Sequence, residues 1–306
     1  MREVFEGADV RLGRWIYGNT TPAINNFGGR LSLAWARLNA PRGICSSQLR
    51  RQFARDGIAM MSIGLIPATV VSTVARKFAS AVEDDRFSQP FGEYPEALVE
   101  KTGRLFGRKI PDPRVIPEIE AMLTPDVRQF ITACYGCHFK VVSVEAYRTY
   151  HVPADLQRTI DAYSNWWHCD QRPSDISKLM INLSHVGPED GPFCVATRPT
   201  TARWLKDERF ARFGRRIEAD FQATGTERER REVVEHVGPP GAAMLCNTQL
   251  CLHKAGVPRV GQHRDLLQIV VAASADPECP DWLRSIDPDF GRRSRYRSPF
   301  SAARMS

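Results

Sequence analysis

The chain of 306 residues is 42% hydrophobic and 25% charged, with 21 Gly and 21 Pro. These proportions exclude a disordered chain, a collagen and a coiled coil. Lys and Arg number 42 against 35 Asp and Glu, a formal charge of +7. Five of the arginines (Arg292, Arg293, Arg295, Arg297, Arg304) crowd into residues 290–306, where no acidic residue occurs, so the body is close to neutral and a nucleic-acid partner is not expected.

In chain order, residues 1–47 read as an N-terminal extension, with turn-forming Gly and Asn clusters and little pattern. A single domain is expected over 48–280, with a helical front at about 48–138 and a strand-rich core at about 139–275. Ser46 or Ser47 caps a short helix through Phe53 that ends at Asp56-Gly57. The apolar run 58–66 reads as a strand leading to Pro67. Beyond it Val70, Val71, Val74, Phe78 and Val82 recur at helical spacing. Residues 94–130 are interrupted by prolines, with 118–123 the best helical stretch.

Six strand-like runs follow, at 139–144, 165–170, 177–184, 193–197, 242–253 and 264–273. Helices in front and strands behind imply an α+β, mainly β fold: a jelly roll (double-stranded β-helix, cupin-like) with the N-terminal helices packed on it. The charge run 224–236 reads as solvated surface. Residues 281–306 form a basic tail, and neither it nor the rest of the sequence assigns an oligomeric state. The start of the chain is charged and lacks an apolar leader, and the apolar stretch 58–75 is broken by Gly64 and Pro67. A cytoplasmic protein with reduced thiols and no membrane span is therefore the expectation.

Within 177–184, strand alternation puts Leu179, Ile181 and Leu183 on one face. Lys178, Met180, Asn182 and Ser184 take the other, which in a jelly roll lines the space between the sheets. His168 and Asp170, one residue apart on a strand, share a face and can reach one metal ion. His-x-Asp occurs by chance often enough to need support. His253 ends a strand-like run, and Arg264 opens another 11 residues later. Two histidines and a carboxylate form the facial triad of non-haem Fe(II) oxygenases. An arginine fork suits a carboxylate cosubstrate.

His185, His236 and His263 are alternatives to His253 as third ligand. His185 reads as a loop residue, and His263 would point away from its neighbour Arg264 on a strand. His138 and His151 read as structural. Cys134-Tyr135-Gly136-Cys137-His138 has the spacing of a c-type haem attachment site. It runs straight into a strand, and a zinc site there lacks a second close cysteine pair. Ordinary buried cysteines are the expectation. Trp166 shares the face of His168 and Asp170 and walls the cavity in this reading, whereas Trp167 points into the core.

Four separated segments together resemble the phytanoyl-CoA dioxygenase family of Fe(II)/2-oxoglutarate oxygenases. They are Phe53-Ala54-Arg55-Asp56-Gly57 with Leu65-Ile66-Pro67; Trp167-His168-Cys169-Asp170 through Ile181-Asn182-Leu183-Ser184; Gly187-Pro188-Glu189-Asp190-Gly191-Pro192-Phe193; and Asn247-Thr248 with His253-Lys254-Ala255-Gly256 and Arg264. The likeness spans about residues 48–275. It implies Fe(II) on His168, Asp170 and His253, with Arg264 on the distal carboxylate of 2-oxoglutarate and O2 as second cosubstrate. The implied reaction hydroxylates an unactivated C–H bond of a small molecule (a lipid-like acid, an amino acid or a specialised metabolite) and releases succinate and CO2. Desaturation or cyclisation on the same iron is the alternative, and a metal-binding jelly roll without turnover is the rival from another class. Asp170 stands where related halogenases carry a small residue, which favours hydroxylation. Ala255 departs from the family, whose members often carry a hydroxyl two residues after the distal histidine; Thr248 or Lys178 would then help to hold 2-oxoglutarate. Thr197-Arg198-Pro199-Thr200 replaces the family's Gly-Ser-His, and Trp166, Asn182 and Arg198 are the candidate substrate contacts.

Overall fold

The computed structural model describes residues 22–40, 47–91, 105–157, 160–170, 173–205, 232–278 and 280–286. The first 21 residues, most of the charge run 224–236, Cys45, Cys279 and the basic tail beyond 286 lie outside them.

Seven α-helices are named here: α1 (Pro22–Asn39), α2 (Ser47–Asp56), α3 (Ala68–Val82), α4 (Pro125–Tyr135), α5 (Ala154–Gln157), α6 (Arg198–Trp204) and α7 (Trp282–Ser285). The strands are β1 (Ile58–Met60), β2 (Gln89–Pro90), β3 (Gly107–Ile110), β4 (His138–Tyr150), β5 (Ile176–Asn182), β6 (Phe193–Ala196), β7 (Val233–His236), β8 (Ala243–Cys246), β9 (His253–Ala255) and β10 (His263–Ser274). They form two antiparallel sheets, a seven-stranded one ordered β1-β8-β5-β10-β4-β3-β2 and a three-stranded one ordered β7-β6-β9. This is the expected jelly roll. Among the described residues no helix is long and apolar enough to cross a membrane.

Alternation along the central strands divides the core. Leu179 and Ile181 of β5 and Leu267, Ile269 and Val271 of β10 face outward, where Val71, Val74, Phe78 and Val82 of α3 and Val127 and Ile131 of α4 cover them. The predicted helical stripe after Pro67 is that of α3, with Val70 only partly buried at its margin. Each such buried aliphatic side chain contributes about 1.5–3 kcal/mol. Met180, Met244, Cys246, Leu266 and Tyr147 face inward and meet Phe193 and Val195 of the small sheet. On the outer face, Arg148 grips Asp265 through Nε–Oδ1 (2.6 Å) and Nη2–Oδ2 (2.7 Å), and its Nη1 reaches Glu83 just beyond α3 at 2.5 Å.

Besides 165–170, four stretches of the folded chain differ from the sequence pattern. Residues 22–39, read within a poorly patterned extension, form α1, which lies against the sheet through buried Gly29 and Ala36. The run 58–66 pairs only as β1 before turning, because its Gly64 adopts φ 96° and Pro67 starts α3. Residues 118–123 are mostly a 3-10 helix (Pro117–Met122), and the longer α4 follows, capped by Thr124 Oγ1 on the Val127 N–H and stopped by left-handed Gly136. The run 242–253 is two strands: β8 belongs to the large sheet and β9 to the small one, so the chain changes sheets at residues 247–252.

Candidate active site

That change of sheet creates the site. Where a strand was predicted at 165–170, no continuous strand forms, and His168 bridges to His253. The His168 N–H donates to the His253 carbonyl (3.0 Å) and the His253 N–H to the His168 carbonyl (2.9 Å). The two rings stand 4.2 Å apart between centroids. Two residues on, the Asp170 N–H donates to the Thr248 carbonyl at 2.9 Å, which locks the carboxylate's backbone to the same crossover.

His168, Asp170 and His253 each offer a ligand atom within 4.8 Å of the others, the only such cluster of three or more among the described residues. Asp170 Oδ1 lies 3.6 Å from His168 Nε2 and 3.7 Å from His253 Nε2. The opposite nitrogens are fixed alike: His168 Nδ1 is 2.8 Å from the Trp166 carbonyl, and His253 Nδ1 is 3.0 Å from the Cys251 carbonyl. A carbonyl accepts only from N–H, so both rings carry the proton on Nδ1 and leave the Nε2 lone pair toward the cluster. Burial, and then the neighbouring His168, hold His253 well below the usual imidazole range, which keeps it neutral. Burial alone would raise Asp170, but Lys178, His253 and His168 together hold it well below the usual carboxylate range.

Lys178 emerges from the inner face of β5, as the alternation predicted, and its Nζ lies 2.6 Å from Asp170 Oδ2. Thr248 Oγ1 donates to the same oxygen at 2.6 Å. Both are therefore engaged with Asp170. Oδ2 is tied back by a cation and a hydroxyl, and Oδ1 is the oxygen turned to the histidines.

Arg264 heads the inner face of β10 and is 1% exposed. Its Nη1 donates to the Gly191 carbonyl at 2.5 Å, while Nε and Nη2 have no protein partner. Gly191 (φ 67°) sits where a Cβ would fall 2.5 Å from Pro258 N, and a Cβ on Gly256 would fall 2.5 Å from the Pro192 carbonyl. Only glycines permit these two backbone segments to touch, and their contact sets the carbonyl that Arg264 grips.

The remaining candidates take other places. Asn182 is fully buried on the inner face, with Oδ1 unpartnered and Nδ2 3.5 Å from the Gly238 carbonyl. Half-buried Trp166 donates its indole N–H to the Gln157 carbonyl at 2.8 Å. Arg198, on α6, donates to the Ala54 carbonyl at 3.1 Å and so ties α6 to α2. Trp167 is core, edge-on to Trp204 at 6.1 Å. His185 is exposed, and His263 points toward Asp265 (3.8 Å) on the face away from Arg264. His236 is buried on the inner face of β7 but is not in the His168–Asp170–His253 cluster. Cys134 and Cys137 are wholly buried, and burial pushes their thiols up to about 12 and about 11, as suits ordinary core cysteines.

Sequence reasoning gave no role to Thr149, which register places directly opposite Arg264. It carries no sequence signal, since a pairing partner is visible only in the folded sheet.

No family model and no curated protein matches the chain. Solved structures do. The crystal structure of EctD from S. alaskensis with 2-oxoglutarate and 5-hydroxyectoine matches at 14% identity over 82% of this chain and 84% of that one, with TM-score 0.52. EctD in its apoform matches at 12% identity over 76% and 79%, with TM-score 0.50. What the chain shares with them is the fold, a two-sheet jelly roll carrying helices on its large sheet.

Proposed function

We propose that the protein is an Fe(II)- and 2-oxoglutarate-dependent oxygenase of the phytanoyl-CoA dioxygenase type that hydroxylates a small molecule. The observation that carries this reading is the pairing of a His-Asp-His cluster with a buried arginine whose Nε and Nη2 have no partner on the same inter-sheet face. The donor set, two neutral imidazole Nε2 atoms and one carboxylate oxygen, is that of a facial triad with open positions. Two unpaired guanidinium nitrogens match a carboxylate fork. One solved structure of this fold, EctD, holds 2-oxoglutarate together with a hydroxylated small molecule.

In this reading His168, Asp170 and His253 hold Fe(II), and Arg264 holds the distal carboxylate of 2-oxoglutarate. Bound together, they supply oxidative decarboxylation of the keto acid by O2, to succinate and CO2, coupled to hydroxylation of a substrate C–H bond. The chain's own work is orientation. The Trp166 and Cys251 carbonyls hold the imidazole protons away from the metal side. Lys178 and Thr248 restrain Asp170 to one coordinating oxygen. Phe193, Val195, Met180 and Leu266 form an apolar lining between the sheets that excludes bulk water.

The test is an anaerobic titration of metal-free protein with Fe(II) and then 2-oxoglutarate, followed by visible absorption. A weak charge-transfer band that requires both additions and is lost in Asp170→Ala supports the reading. Iron binding without the band would leave a metal-binding jelly roll with no turnover, and failure to bind iron would overturn the proposal.

A further inference from the structure

The inter-sheet face carries polar groups that the metal-binding cluster does not use. Arg264, Thr149, Asn182 and His236 are each at most 1% exposed. Arg264 Nε and Nη2, Thr149 Oγ1, Asn182 Oδ1 and both ring nitrogens of His236 lack any protein hydrogen-bond partner. A buried polar group left unpaired costs about 1–3 kcal/mol, and native interiors seldom leave several together.

Register brings Arg264, Thr149 and Asn182 together on the inner face of the large sheet. Thr149 lies opposite Arg264, and Asn182 lies opposite Leu266, the next residue on Arg264's face of β10. On the facing sheet, Phe193 is flanked by His236 on one side and Ala255 on the other. Residues opposite one another in adjacent strands share a face, so His236 and Ala255 look into the space that Phe193 does. The Ala255 side chain brings no polar atom, so of the two residues directly opposite Phe193 only His236 has a polar side chain. The Gly191 carbonyl that holds Arg264 lies two residues before Phe193 on the same strand approach. Burial first, and then the Arg264 charge, push His236 down to about 4, so the ring is neutral at pH 7. The Ala242 backbone opposes that shift.

We propose that His236 is a second arm of the Arg264 pocket, a positioning residue that donates a ring N–H to the distal carboxylate of the dicarboxylate cosubstrate. Arg264 takes that carboxylate through its two unpaired nitrogens, and the neutral imidazole has one N–H to add. The proposal rests on the oxygenase reading above. Its consequence is selectivity: the pocket rewards a keto acid that carries a second carboxylate and gives nothing to one that lacks it.

The experiment measures binding, not turnover. Protein loaded with Ni(II) is titrated calorimetrically with 2-oxoglutarate and with 2-oxobutyrate, which keeps the keto acid end and lacks the distal carboxylate. Wild type, His236→Leu and His236→Gln are compared, and thermal unfolding is recorded for each. His236→Leu weakens 2-oxoglutarate by about tenfold or more, the worth of a hydrogen bond to a charged group, and leaves 2-oxobutyrate unchanged. Its Tm is not lowered, because an unpaired buried polar group has been replaced by an apolar one. His236→Gln, which keeps an N–H donor, recovers most of the affinity.

Unchanged 2-oxoglutarate affinity in His236→Leu overturns the inference and leaves the oxygenase reading standing. Equal losses for both keto acids also overturn it, since they place the effect at the metal end. Should His236→Leu not fold, His236→Gln decides: affinity within threefold of wild type supports the proposal, and a tenfold loss in a folded protein overturns it. A wild type that binds neither keto acid removes the oxygenase reading itself, and the inference with it.

Discussion

Lys178 Nζ lies 2.6 Å from Asp170 Oδ2, with the two side chains 14% and 16% exposed. A carboxylate in so dry a place needs a counter-charge, and in the metal-free chain the lysine is that charge. A divalent cation on Oδ1 offers the same service from the other side.

Lys178→Met therefore destabilises the metal-free protein by about 3 kcal/mol, the usual penalty for stranding one partner of a buried pair. Added Mn(II), an inert stand-in for Fe(II), raises the Tm of the variant more than that of wild type, because the cation replaces the missing lysine. Thr248→Val removes the hydroxyl on the same oxygen and weakens metal binding by about tenfold to a hundredfold. Equal Mn(II) shifts in wild type and Lys178→Met would show that the lysine does not neutralise Asp170.

Asp175, beneath α1, is 6% exposed, accepts from Ser32 Oγ at 2.9 Å through Oδ2, and leaves Oδ1 unpartnered. Burial pushes its carboxyl up to about 6, only partly offset by the Ser32 hydroxyl. The unfolded chain releases this proton near pH 4, so between about pH 4 and pH 6 the folded state binds more protons and stability falls as pH rises. The span corresponds to about 3 kcal/mol. Asp175→Asn removes the effect while keeping an acceptor for Ser32. The difference in unfolding free energy, variant minus wild type, should grow by about that amount between pH 4 and 6.5 in urea titrations; parallel pH profiles would refute it.

The same backbone fixes α1. A Cβ on Gly29 would stand 2.4 Å from Ser174 N and 2.8 Å from Ser174 Oγ, which is closer than packing allows. Gly29→Val should lift the helix off the sheet and break the Ser32–Asp175 hydrogen bond. Limited proteolysis should then cut within α1 at protease levels that spare wild type, while Ni(II) binding at the His-Asp-His cluster persists. Equal protection would mean that α1 is not held at Gly29.

Cysteine chemistry provides a separate check. Cys134, Cys137, Cys169, Cys194, Cys246 and Cys251 are all free and buried, out of eight in the chain. Burial raises the thiols of Cys134, Cys137, Cys169 and Cys194, which suppresses the reactive thiolate. An aromatic disulfide reagent should label no more than two thiols in native protein and all eight after denaturation. Rapid labelling of three or more would contradict this packing.

Much of the site was legible before folding. The spacing of His168 and Asp170, the isolation of His253 at a strand end and the arginine 11 residues beyond it are properties of residue type and order. So is the division of β5 into an apolar face and one bearing Lys178 and Asn182, because strand side chains alternate whatever the partners are. The stripe of α3 follows from helical periodicity in the same way.

The contacts of Lys178 and Thr248 and the burial of Thr149 and His236 were not legible. Lys178 and Thr248 suggested themselves as cosubstrate contacts, and their hold on Asp170 Oδ2 is visible only in the folded chain. His236 sat at the end of a charge run and read as solvated, yet it is 1% exposed and faces the inner space. In each case the deciding quantity is a distance between residues far apart in the chain, set by strand register and by the crossover at 247–252. Local pattern determines which way a side chain points from its own backbone, and so the sequence alone determined the fold class and the apolar faces of β5 and α3. Which side chains meet across that face depends on how whole sheets settle against each other. Only the tertiary structure decided that His168 and His253 are bridged, that Asp170 is tied back by a lysine and a threonine, and that Arg264 keeps two nitrogens unpaired.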